Sequence, residues 1–485
     1  MGESVARAAA VAALPVAHHA DRVEEMVRPD ERIVIACCLL VGVATVLLAP
    51  ALGYDAWAWM VWARELTHFS LDTTGGPSWK PLPVLLSAPF AWVDGLAPFL
   101  WLALIRSAAL YSVWLAARAA VRLSSAPALG SVAAAFAAFG LLVSTDLPRT
   151  ALYGSSEPLL VVFVLAALLA YLADRPLWAL AFIALGGLIR PELWPLSILY
   201  GLWCARLMPS RRAPIAALAL CAPVIWVVFD WIGSGGLTQG AQTTLADHSA
   251  DSAAGASIPA LEVVARLGDA VIAPVLVMAL IALVIAWRRG NRELLLIGGL
   301  AICWVGLVAV MAQFGFTGAR RYLIGPAALL CVISGVGAAS LLAMIGPRAV
   351  RALATAALAL VFIGVGLLVL RSDARQLSVA RLASKEFDQL SEAVVRAGGR
   401  DAVVRVGNPA VNPYGQTALA WQLDLPLSSV QGAWGSTSAK PNWRPPAVVF
   451  VAPQRLAGPR PAIGAGVVIR RLGSYGRWQL FRAYR

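Results

Sequence analysis

The chain has 485 residues, of which 60% are hydrophobic and only 13% charged, and its net charge is +13. With a mean hydropathy of +0.75, this composition excludes an ordinary soluble globule. Much of the positive excess is Arg in short connections between apolar runs, which points to membrane topology rather than to nucleic-acid binding.

Residues 1–32 read as a polar N-terminal tail with no cleavable signal peptide, because the apolar run that follows is long enough to stay as a span. Spans are predicted near 33–52, 99–121, 128–144, 158–173, 177–189, 193–208, 213–232, 269–287, 294–313, 323–345 and 352–371, about eleven in all. Arg118 and Arg122, Arg175, Arg206, Arg211 and Arg212, Arg288, Arg289 and Arg292, and Arg348 and Arg351 fall in alternate connections. The rule that basic loops stay inside then places the N-terminus in the cytoplasm and everything after 372 outside.

The first outer loop, 53–98, is long. Residues 56–68, with Trp57, Trp59 and Trp62 beside Arg64 and Glu65, predict an aromatic helix lying at the interface. Leu82–Val93 is too short for a span and predicts a re-entrant or interfacial helix. The strip 233–267, with Gly and Ser at its start and the polar run 244–255, predicts a mobile outer loop.

Residues 372–485 predict a small extracytoplasmic α/β domain. Its expected elements are an amphipathic helix over 377–397, a strand over Ala402–Val406, a short helix over Thr417–Leu423, and strands over Val448–Val451, Val467–Ile469 and Trp478–Phe481. The aromatics Tyr414, Trp421, Trp434 and Trp443 suit either sugar contact or packing. The fold class is therefore an all-α polytopic bundle over 33–371 with a small α/β domain behind it.

Ionisable residues at span ends on one side ask for a charged ligand. Asp55 follows the first span directly; it is placed to act as a general base or to cap the helix starting at Ala56. Lys80, between Trp79 and Pro81, is held by a stiff backbone, and suits a phosphate or simple snorkelling. Glu157 opens a helix in Tyr153–Pro158. In Arg190-Pro191-Glu192, helix-start rules explain Pro191 and Glu192 but leave Arg190 in need of an anion. Arg320 and Arg321, next to Tyr322, depart from the positive-inside trend, and paired guanidinium groups bind phosphate bidentately. Arg106 lies within the second span and predicts a carboxylate or carbonyl partner.

Other chemistries find no footing. The six cysteines lie in or beside apolar segments without ligand spacing, and His18, His19, His68 and His248 show no zinc pattern. No P-loop and no GxGxxG motif follow a strand. No internal repeat supports a transporter or flippase built from inverted halves, the alternative reading, which also needs ionisable sites at mid-membrane.

In this order the motifs resemble the multi-spanning C-type glycosyltransferases that use polyprenyl-phosphate sugars. The branch containing aminoarabinose-to-lipid A transferases and protein O-mannosyltransferases fits best. The resemblance rests on Asp55, Lys80-Pro81-Leu82-Pro83, Glu157, Arg190–Glu192 and Arg321-Tyr322 and covers about residues 33–345. It implies an inverting transfer of a hexose or pentose from a polyprenyl-phosphate donor to an extracytoplasmic glycan, lipid or protein. Asp55 would be the base. Lys80, Arg190, Arg320, Arg321 and Tyr322 would hold the donor phosphate, with Glu157 and Glu192 as supporting acids. Two departures stand out: the Lys motif lacks a second consecutive proline, and the first loop has no Asp-x-Asp pair. A divalent metal or other cofactor is therefore not expected.

Overall fold

Helix starts follow local chemistry throughout the computed structural model, which describes residues 30–144, 146–246, 252–432, 444–452 and 467–484. Helix α1 (Glu31–Val46) is capped by Asp30, whose carboxylate accepts from the Arg32 N–H at 3.0 Å. Then come α2 (Tyr54–Thr67), α3 (Pro81–Ser87) running into a 3-10 segment (Ala88–Leu96), α4 (Ala97–Leu123), α5 (Gly130–Leu142), α6 (Asp146–Leu152) and α7 (Glu157–Leu172). The bundle continues with α8 (Pro176–Gly187), α9 (Trp194–Leu207), α10 (Arg212–Ser234), α11 (Gln239–Ala246), α12 (Pro259–Ala270) and α13 (Ala273–Arg289). It closes with α14 (Arg292–Gln313), α15 (Ile324–Ala343) and α16 (Arg348–Arg396). Proline in the first turn opens α3, α4, α7, α8, α9, α12 and α13, where its missing N–H costs nothing.

Each predicted span coincides with a helix. Among the described residues, length and composition single out five as able to cross a membrane: Ala97–Leu123, Pro209–Ser234, Arg292–Gln313, Arg320–Ala343 and Arg348–Arg396. The number is up to seven if each bent pair counts as one span. Others, such as the 12-residue α8, fall short of the roughly 20 residues of a straight crossing. Helix α15 is the hub and packs against α5 and α13. A Cβ on its Gly335 would stand 2.3 Å from the Ala133 carbonyl oxygen, so this close approach requires glycine.

Several expectations change. Helix α2 is covered by protein rather than exposed along one face: every residue from Ala56 to Ala63 is buried. On one side Trp59 meets Trp101 and Trp62 meets Trp79, each at 5.5 Å between ring centroids. On the other, Trp57 meets Phe387 at 5.5 Å and Trp421 at 6.2 Å, so the C-terminal domain covers a face that would otherwise need lipid. About half of the 233–267 strip is helical, in α11 and α12, and Ala253, which is fully buried, donates its N–H to the Thr317 carbonyl. Its residues 247–251 lie outside the described residues.

The last predicted span and the amphipathic helix are one 49-residue helix, α16, and the boundary drawn at 372 falls inside it. The polar stretch from Arg371 to Arg375 holds no Gly or Pro that would interrupt it. Residues 402–406 are mostly helical rather than extended, within α17 (Gly399–Val404); a short apolar run does not distinguish the two by period. Helix α18 (Gln416–Gln422) and five strands complete the domain: β1 (Ala410–Val411), β2 (Gln431–Gly432), β3 (Ala447–Val451), β4 (Val468–Tyr475) and β5 (Trp478–Tyr484). The sheet order is β2-β1-β3-β5-β4, parallel among β2, β1 and β3 and antiparallel from β3 to β4. Trp434 and Trp443 lie outside the described residues.

Candidate active site

Two backbone hydrogen bonds draw the site together. The Gly53 N–H donates to the Tyr153 carbonyl at 2.8 Å, joining the start of α2 to the turn before α7. The Leu82 N–H donates to the Leu188 carbonyl at 3.2 Å, joining the start of α3 to the end of α8. The turn before α7 depends on Gly154, whose φ of +69° is a left-handed value. A Cβ there would lie 2.9 Å from Leu52 and 3.2 Å from Leu102.

Lys80 and Arg190 are set by the same rule. Each precedes a proline, so each backbone is extended (φ −139°, ψ 114° and φ −140°, ψ 116°) and the helical turn begins just after. Both side chains therefore project from stiff corners. Both are buried, as is Glu157.

The charges form one continuous chain of contacts. Arg321 Nη1 donates to Asp55 Oδ2 at 3.0 Å, and Lys80 Nζ lies 4.0 Å from the same oxygen. Lys80 Nζ is also 3.9 Å from Glu157 Oε1, which accepts from Arg190 Nη2. The Arg190 guanidinium lies over the Tyr322 ring at 4.2 Å, and Lys80 over Trp59 at 5.3 Å. Tyr322 is fixed through its hydroxyl, which accepts from Thr317 Oγ1 at 3.0 Å. Within these contacts three cations face two carboxylates. Burial, followed by the charge of Arg190, lowers the Lys80 amine from its ordinary value to about 8.

Asp55 is not the helix cap; Gly53 occupies that position and Asp55 sits in the first turn. Glu192 is buried beside this chain and forms no ion pair among the described residues; burial raises its carboxyl above the ordinary range. Arg320 points elsewhere, to Asp146 on α6 at 3.7 Å. Arg320 and Arg321 open a 3-10 turn, where successive side chains diverge by about 120°, so the two guanidinium groups address different carboxylates. Arg106 donates to the carbonyls of Thr45, Ala49 and Leu152 at 2.5, 2.6 and 3.0 Å, tying the end of α1 to α6.

Sequence reasoning missed the C-terminal contribution. The Tyr54 hydroxyl, one residue before Asp55, donates to Gln416 Oε1 at 2.7 Å. The Gln416 amide donates in turn to the carbonyls of Val430 and Leu427 at 2.8 and 3.2 Å, which fixes its orientation. Nothing local marks Gln416, which stands 362 positions from its partner. Among the described residues, no three His, Cys, Asp or Glu side chains gather as metal ligands do.

A multi-pass helical membrane protein with a buried charged cluster at the ends of its helices is the class this architecture defines. No protein-family model matches the chain, and no curated protein does. Among solved structures it is similar to ArnT from Cupriavidus metallidurans in the apo state, with a TM-score of 0.52 and 15% identity over 93% of this chain and 97% of that one. It is also similar to ArnT from the same organism bound to undecaprenyl phosphate, with a TM-score of 0.50 and 12% identity over the same shares. At such identities the likeness establishes the fold alone, the one seen in these two ArnT structures.

Proposed function

We propose that this protein is a membrane glycosyltransferase that moves a sugar from a polyprenyl-phosphate donor to an acceptor hydroxyl, with inversion. The observation that carries the reading is the single contact chain Arg321–Asp55–Lys80–Glu157–Arg190, assembled from five separate segments on an ArnT-like fold. One of the ArnT structures holds undecaprenyl phosphate, the donor's lipid-phosphate part. The eleven helices that match predicted spans would all cross the bilayer, with the site and the domain after 372 facing away from the cytosol.

In this mechanism the donor phosphate binds Lys80, Arg190 and Arg321, which stabilise its growing charge as the bond from the anomeric carbon to the phosphate oxygen breaks. Its arrival draws Arg321 and Lys80 away from Asp55. The freed carboxylate takes the acceptor proton while the acceptor oxygen bonds to the anomeric carbon from the opposite face. Glu157 holds Arg190 in place, Tyr322 supports its guanidinium plane, and Arg320 braces the turn through Asp146. The sugar is a hexose or a pentose, and the acceptor a cell-envelope glycan, glycolipid or protein.

The test is transfer of radiolabelled sugar from a polyprenyl-phosphate donor in membranes carrying the wild type or Asp55→Asn. Loss of the base lowers the rate by about 10²–10⁴, while donor binding is kept. Undiminished transfer by the variant would remove Asp55 from the reaction. Donor-independent lipid translocation would favour a flippase instead.

A further inference from the structure

The C-terminal sheet leaves one edge open. Strand β4 pairs with β5 on one side and, among the described residues, with no strand on the other. It runs for eight residues and none of them is buried, whereas β3 in the middle of the sheet is buried throughout. The turn of the β4–β5 hairpin is fixed on α16. There Arg477 pairs with Glu386 at 3.3 Å, its N–H donates to Gln389 Oε1 at 3.0 Å, and the Trp478 indole donates to the Glu386 carbonyl at 2.8 Å. The open part is the other end, residues 468–472.

Three large apolar side chains lie bare at that end: Val468, Ile469 and Leu472 are 63%, 38% and 44% exposed. Between them stand Arg470 and Arg471. The register sets Arg470 directly opposite Arg482 of β5, and Val468 opposite Tyr484, so these four side chains share one face. Like charges directly opposite weaken a strand pair. Among the described residues, none of the three arginines meets a carboxylate. Arg471 donates to the Ser474 hydroxyl at 2.6 Å, and Arg482 lies over the Tyr484 ring at 5.2 Å.

An open edge offers backbone N–H and C=O groups at strand spacing, which another extended chain matches along its length. Charge and a bulge are common guards of such an edge, and β4 has both, its bulge lying between Arg471 and Gly473. Here the guard has a single sign. A second copy of β4, laid against the first in either direction about these positions, would set arginine against arginine. An acidic strand would instead bring carboxylates to the guanidinium groups. Apolar residues on either side of those carboxylates would cover Val468, Ile469 and Leu472. A headgroup layer supplies negative charge but no backbone partners in register.

We propose that residues 468–472 are a docking edge for an extended acidic segment of a partner protein, which adds a strand to the sheet beside β4. The segment that fits has two adjacent carboxylates flanked by β-branched residues. This surface is separate from the Asp55 cluster, and the proposal does not depend on the transfer reaction.

The full-length protein in phosphatidylcholine nanodiscs is titrated with fluorescein-labelled Thr-Val-Val-Glu-Glu-Val-Val-Thr, whose symmetry suits either strand direction, and backbone hydrogen exchange is followed at 468–472. The peptide binds and slows exchange there by about tenfold. Proline in place of the valine before the first glutamate removes a backbone donor and weakens binding about tenfold. The double variant Arg470→Glu, Arg471→Glu weakens the acidic peptide by about tenfold and binds the counterpart with two lysines instead, which also shows that the variant is folded. Unchanged exchange at 468–472, equal binding of the proline peptide, or equal binding of the lysine peptide by the wild type would overturn the proposal. So would protection of these residues by phosphatidylglycerol nanodiscs without peptide, which would assign the arginines to a lipid surface.

Discussion

Replacing Glu157 with Gln separates a site built for an anion from one that merely packs. Glu157 has no exposed surface, accepts from the buried Arg190 and stands 3.9 Å from Lys80. Gln keeps the shape and one hydrogen-bond acceptor but removes the charge, leaving Lys80, Arg190 and Arg321 with Asp55 alone. Breaking a buried pair from one side costs about 3–5 kcal/mol. The lower end suits an isostere, and about 3 kcal/mol is roughly a hundredfold in the folding equilibrium. A bound phosphate replaces the lost charge, so undecaprenyl phosphate stabilises the variant more than the wild type. Thermal unfolding of both purified proteins, with and without undecaprenyl phosphate, reads this directly. Unchanged basal stability together with equal ligand-induced shifts would refute the reasoning.

The Lys80 amine titrates near 8 in the free protein. It loses its charge as pH rises through that value, so the donor KM rises on the alkaline side; Lys80→Arg keeps the charge and flattens that limb between pH 7 and 10. Tyr54→Phe and Gln416→Leu each lower kcat by about tenfold, roughly 1.4 kcal/mol of positioning, and the double variant is no worse than either single one. Additive losses in that cycle would show that the two residues act separately. Gly154→Ala imposes a side chain at φ +69° and 2.9 Å from Leu52; it lowers stability by about 1–3 kcal/mol, measured as a drop in unfolding temperature.

What was legible in the sequence was local. Apolar runs located the helices, and X-Pro pairs fixed the stiff corners at Lys80 and Arg190, because both follow from the chain's own short-range sterics. A convergence of Asp55, Lys80, Arg190 and the Arg320–Arg321 pair was expected from a shared side of the bundle; Asp55, Lys80, Arg190 and Arg321 do meet, through Glu157, while Arg320 turns to Asp146. The divergence of Arg320 was not legible, since two adjacent arginines look identical until the turn type is known. Burial of α2 was not legible either: a Trp-rich helix at a span end reads as interfacial unless its cover is visible, and that cover comes from Phe387 and Trp421, more than 300 positions later. The uninterrupted α16 escaped notice because charge along Arg371–Arg375 resembles a linker, although helix propensity there is high.

The unbroken course of α16 makes it a ruler between two parts of the protein. Its 49 residues extend about 73 Å at 1.5 Å per residue, well beyond the roughly 30 Å of a hydrocarbon core. About two thirds of the way along, Ala380 and Ala383 seat against Ala49 and Ala51, just ahead of Asp55. The helix thus joins its apolar first half, long enough to cross a membrane, to the domain that carries Gln416 without a break. Adding one residue near 374 would swing that domain by about 100° and pull Gln416 off Tyr54, so the residue count of the helix sets that contact.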